Sequence, residues 1–65
     1  MKITVNGEEQ IITGMSVYDY LHSIECDPMP IAVELNRLIL KKSEYQTTFL
    51  AEADQLEIVW FVGGG

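Results

Sequence analysis

The stretch Gln55–Gly65 reads QLEIVWFVGGG. Leu56, Ile58 and Trp60 alternate with Glu57, Val59 and Phe61, the period of two that places successive side chains on opposite faces of a β-strand. Leu56 and Ile58 share the phase of a core, which leaves Val59 and Phe61 on the other face. Three glycines follow with no polar spacer, so the apolar strand runs straight into them. The rest of the chain has to supply a sheet for this strand and a use for the glycines.

Upstream, Ile3 and Val5 alternate with Lys2 and Thr4, and Asn6-Gly7 precedes the β-branched run Ile11 to Thr13. Asn-Gly between such runs predicts a hairpin, because both residues tolerate the positive φ of a type I′ turn. In GMSVYDYLHSIECDPMP, Ser16 can cap a helix and Asp19 completes a capping box, with Met15 and Tyr20 at the positions of a hydrophobic staple. Val17, Tyr20, Leu21 and Ile24 then share one helical face for packing on a sheet, and Asp27-Pro28 ends the helix. In IAVELNRLIL, Ile31, Val33 and Leu35 point one way and Ala32 and Glu34 the other. Asn36-Arg37 turns the chain into a short strand, Leu38 to Leu40. The polar KKSEYQTTF reads as an irregular connection with one helical turn. One helix crossing a mixed sheet of four to five strands makes an α+β roll, a single domain over residues 1–65.

At 65 residues, a chain buries only about 60% of its unfolded surface, so the stability margin is thin. One cysteine excludes an intramolecular disulfide, and one cysteine with one histidine cannot build a structural zinc site. The net charge of −6, from ten acidic against four basic residues, argues against nucleic acid and for a partner with a basic surface. No stretch is long and apolar enough to span a membrane, and MKITVNGEEQ carries charges where a signal peptide needs apolar residues; the expected location is the cytoplasm.

Catalytic constellations are weak. His22 and Cys26 are four apart, within reach of each other on a helix, but Cys26 falls at the helix C terminus, where the dipole disfavours a thiolate. The reading is a surface histidine and an incidental thiol. Glu8-Glu9 and Glu52 with Asp54 read as solvated carboxylates beside turns, and Lys41-Lys42 as a solvated strand end. The glycines cannot cradle a phosphate, since no helix N terminus follows them.

Glycines without Cβ atoms can thread a passage too narrow for side chains, and three of them reach roughly 10 Å. The group they deliver is the α-carboxylate of Gly65. A carboxylate is a poor electrophile and no nucleotide-binding loop exists here, so a partner would have to supply ATP and form an acyl-adenylate. A sulfur or amine nucleophile would then displace AMP. On this reading the protein is a carrier and not an enzyme; the alternative is a frayed end without function. Val59, Phe61 and Val62 are candidate partner-binding residues, an apolar patch with an acidic rim. Their other reading is that they cover the sheet face and the foot of the tail.

The NGE turn at residues 6–8, IAVELN at 31–36, KSEYQTTFL at 42–50, the acidic turn before QLEIVWF and the closing GGG together resemble the sulfur carrier proteins of thiamine biosynthesis, a ubiquitin-like family of the β-grasp fold. The resemblance covers essentially the whole chain. It implies that an ATP-dependent, E1-like adenylyltransferase activates the Gly65 carboxylate, and that sulfur drawn ultimately by a cysteine desulfurase converts it to a thiocarboxylate. Thiazole synthase is then the implied acceptor, Gly63 and Gly64 enter the partners' active sites, and residues 62–65 form a flexible tail. No cofactor is bound by the carrier itself. The resemblance also implies that the first and last strands lie side by side, parallel, in mid-sheet. Two turns depart from the family pattern: Glu52-Ala53-Asp54 stands for Asp-Gly-Asp, and Asn36-Arg37 for Asn-Gly, which puts local turn geometry in question. A carrier for molybdopterin or another sulfur-containing product, a ubiquitin-like modifier and a plain interaction module remain as alternatives.

Overall fold

Asn6 and Gly7 adopt φ of 48° and 82°, the two positive values a type I′ turn requires. They join β1 (Lys2–Val5) to β2 (Glu8–Ile11) with Val5 opposite Glu8. The computed structural model describes residues 1–61. The second strand starts earlier than the β-branched run suggested, because a two-residue turn brings its very next residue into pairing. All four residues of β2 are exposed, so the strand edges the sheet without contributing to the core.

Helix α1 (Val17–Ser23) begins at the expected cap. Ser16 Oγ accepts from the Asp19 amide at 3.0 Å, and Asp19 returns a carboxylate oxygen to the Ser16 amide at 3.5 Å. Met15 is partly buried against the core that contains Tyr20, in keeping with a staple. The helix stops before Asp27-Pro28. Glu25, at φ 57°, donates to His22 O, and Cys26 donates to Leu21 O at 2.9 Å. These are the paired bonds of a Schellman ending, here with glutamate where glycine is usual. Ile24 becomes the cap residue and is exposed; it does not join Val17, Tyr20 and Leu21 on the buried face.

Strand β3 (Ile31–Leu35) turns through Asn36 and Arg37, at φ 52° and 71°, into β4 (Leu38–Leu40). A 3-10 turn over Lys42–Glu44 follows, then β5 (Gln55–Trp60). The sheet order is β2-β1-β5-β3-β4, with β1 and β5 parallel and every other pair antiparallel. This is the ubiquitin-like β-grasp arrangement, with the last strand at the centre. The two turns that lack the family's glycine keep the left-handed conformation, at Arg37 and at Ala53, φ 71°.

Helix α1 covers one face. Ile3, Val5, Ile31, Val33, Leu56 and Ile58 bury against Val17, Tyr20 and Leu21, with Tyr45 and Leu50 closing the margin. Truncating one fully buried member such as Leu21 or Leu56 to alanine costs about 2–5 kcal/mol, a large share of what so small a domain holds in reserve.

Candidate functional site

Strand β5 is held at its start and near its middle by asparagine side chains from the two hairpin turns. At its start, Asn36 donates its amide to Gln55 O at 2.8 Å and accepts the Gln55 amide on Oδ1 at 2.9 Å. Asn36 Nδ2 also reaches Asp54 Oδ1 at 3.0 Å. Further along, β1 ends at Val5, but Asn6 continues its ladder: its amide reaches Leu56 O, its Oδ1 accepts from Ile58 N at 2.7 Å, and its Nδ2 donates to Ile58 O at 3.2 Å. Both asparagines were legible as turn residues, whereas their second task as clasps on the central strand was not.

The clasps fix where the strand leaves the sheet. Phe61 N donates to Pro30 O at 2.9 Å, which extends the β3–β5 pairing one residue past Trp60. Val59 and Phe61 lie on the open face, 49% and 60% exposed. Trp60 takes the inward phase opposite the fully buried Ile31, yet it is 53% exposed, contrary to its expected place with Leu56 and Ile58. The reason is length: seven helical residues span about 10 Å and six strand residues about 20 Å, so β5 outruns its cover. The end of the strand is therefore apolar on both faces. Val62, Gly63, Gly64 and Gly65 lie outside the described residues.

The other candidates are structural. His22 stacks its ring on Tyr18, centroids 6.3 Å apart, and makes no hydrogen bond with Cys26 among the described residues. Burial raises the Cys26 thiol above its ordinary range, with Asp27 adding to the effect, which is opposite to what a nucleophile needs. Glu52 accepts the Lys2 amide, and Asp54 accepts the Ala51 amide at 2.7 Å, so this pair braces a turn. Lys42 departs from the expected solvated end: its ammonium donates to Pro28 O and Ile31 O and lies 5.7 Å from the centre of the Tyr45 ring. Among the described residues, no three His, Cys, Asp or Glu side chains gather as a metal site, and no helix is long and apolar enough to cross a membrane.

The family model described as "ThiS family" matches residues 3–65. The chain belongs to the ThiS family. A "Sulfur carrier protein ThiS" of Bacillus subtilis (strain 168) is 38% identical over 50 residues, covering 77% of this chain and 76% of its own length. A "Thiazole synthase" of Paramagnetospirillum magneticum is 41% identical over 66 residues, covering all of this chain. A second, from Magnetococcus marinus, is 36% identical over the same span. The chain spans 20% of the length of each of these two relatives. The crystal structure of the thiamine biosynthesis protein (ThiS) from Geobacter metallireducens matches with a TM-score of 0.86 at 28% identity, over the whole of both chains. In this ThiS-family chain, then, the β-grasp sheet is an architecture shared with a solved relative.

Proposed function

We propose that this protein is a sulfur carrier for thiazole formation in thiamine biosynthesis, with the Gly65 carboxylate as the group that carries sulfur. The observation that carries the reading is a family match that runs to residue 65, which supports reading the clasped strand and the glycines as one unit. A partner adenylyltransferase joins the carboxylate to the α-phosphorus of ATP and releases pyrophosphate. A persulfide sulfur, supplied ultimately through a cysteine desulfurase, attacks the acyl carbon and AMP leaves; a second thiol then cleaves the acyl disulfide, which leaves the thiocarboxylate and a disulfide. Gly63 and Gly64 let the arm enter each active site because no Cβ widens it. The relatives named thiazole synthase contain a stretch similar to this entire chain within one longer polypeptide, which supports thiazole synthase as the acceptor.

Docking falls to Val59 and Phe61, at the end of the strand that leads to the arm, and to Val62, next to them in sequence. The chain's own contribution is to present an activatable carboxylate four residues beyond Phe61 in sequence; the nucleotide chemistry belongs to the partner. Intact mass after incubation with ATP, a sulfide source and the organism's adenylyltransferase tests this. A gain of one sulfur less one oxygen is expected, lost when Gly64 and Gly65 are deleted. An unchanged mass, together with full thiamine synthesis by the deleted form, refutes it; conjugates to lysines of other proteins would make it a modifier.

A further inference from the structure

On the open face of the sheet, two glutamates stand directly opposite each other. Glu34 of β3 pairs with Glu57 of β5. The Phe61–Pro30 and Asn36–Gln55 bonds on either side set the register, so Glu34 and Glu57 form a hydrogen-bonded pair with Cα atoms about 5.5 Å apart. Like charges so placed weaken a sheet. Neither carboxylate accepts a hydrogen bond or ion pair among the described residues, whereas Asp19, Asp27, Glu44, Glu52 and Asp54 each bind a backbone amide and Glu9 pairs with Lys2; Glu8 and Glu25 are equally unpartnered but face no like charge across a strand pair. Glu34 is, moreover, half-buried.

The surroundings are apolar. The next pair toward the exit is Ala32 with Val59, and Ile39 of the edge strand, 79% exposed, lies beside Glu34. Glu57 and Val59 of β5 and Phe61 just after it occupy successive outward positions, so the carboxylate pair shares this face with the apolar residues that precede the arm in sequence. The relatives named thiazole synthase contain a stretch similar to this entire chain, which argues for that enzyme as the occupant of this face.

We propose that the open face of β3, β4 and β5 docks on thiazole synthase, which places one arginine or lysine between Glu34 and Glu57 and apolar side chains over Val59, Ala32 and Ile39. The pair is a specificity device: a single cation answers two carboxylates that only repel each other in the free protein. Charge complementarity at the centre of an apolar patch governs partner choice, since an unmatched desolvated charge is costly. The proposal rests on the sulfur-carrier reading and adds the chemistry of the docking partner.

The test is calorimetric binding of purified thiazole synthase to the wild-type chain, to Glu34→Gln, to Glu57→Gln and to the double variant, at low and high salt. The double variant is expected to bind at least about tenfold more weakly at low salt and to lose most of the salt dependence. Its thermal midpoint should equal or exceed the wild type's, which separates lost docking from lost folding. A Glu57→Lys variant should fail to bind and should be rescued by reversing the contacting cation on the synthase. Unchanged affinity and salt dependence in the double variant overturn the proposal, as does a loss confined to the adenylyltransferase. If the wild type binds the synthase but gains no sulfur in the mass assay, it is the carrier reading that fails, with the docking result still standing.

Discussion

Replacing Asn6 with glycine removes a side chain from the hairpin turn without disturbing the turn, since glycine accepts φ 48° at least as readily as asparagine. What is lost is the clasp on β5. Two hydrogen bonds disappear, from Ile58 N to Oδ1 at 2.7 Å and from Nδ2 to Ile58 O at 3.2 Å. Each contributes about 0.5–1.5 kcal/mol net, and a buried amide left without a partner costs about 1–3 kcal/mol. Because the site is only partly buried, water recovers some of this, and the expected loss is about 2 kcal/mol. For a domain of this size that lowers the thermal midpoint by roughly 8–16 °C. Urea unfolding should show a lower midpoint at unchanged slope. Amide hydrogen exchange localises the effect, with Ile58 N–H losing protection well before Ile31 or Val33. A midpoint within 2 °C (roughly a quarter to a half of a kcal/mol) and an Ile58 amide as protected as before would refute the clasp.

Three further outcomes follow from the same geometry. Ala53→Gly and Arg37→Gly should each raise stability by about 0.5–1 kcal/mol in thermal melts, because left-handed φ of 71° costs a side-chain-bearing residue about 1–2 kcal/mol, offset in part by the entropy glycine adds to the unfolded chain. Alkaline pH should destabilise the fold: burial raises Cys26, Tyr20 and Tyr45 above their unfolded values, so the folded state holds protons the unfolded state has released. Stability is then fully present below about pH 8.5, the unfolded thiol value, and falls as pH rises through the folded-state values, readable as a declining urea midpoint. The same raised thiol should make Cys26 alkylate more slowly at pH 8 than a free cysteine, with equal rates once the protein is unfolded.

Where an element depends on its own residues, the sequence was sufficient. The Asn6-Gly7 turn, the Ser16–Asp19 capping box and the alternation of Ile31, Val33 and Leu35 are local, and each stands in the structure as read. The helix end was missed because its ending uses Glu25 in a conformation that normally advertises itself with glycine. Trp60 keeps the phase read for it, but its exposure was not legible, because alternation gives a side chain's phase and not how far the covering helix extends. The Asn6 clasp joins residues 52 apart in sequence, beyond any periodicity. The placement of β5 between β1 and β3 came from the family resemblance, since strand patterns carry no statement of which strands are neighbours. Of the candidate site, Val59 and Phe61 were correctly assigned to the outward phase, while the Glu34–Glu57 opposition needed the register of a non-local pair.

The position of β5 also bears on how the molecule is made. It is the last strand described, yet it separates the β1–β2 hairpin from the β3–β4 hairpin and contacts both. Until residue 60 has been made, the nascent chain has two hairpins and a helix that packs on both but no strand between them, and the apolar surface that β5 covers stays unpaired. A polypeptide that stops short of β5 cannot close the sheet and stays open to proteolysis. Folding thus doubles as a check that translation has run through Trp60.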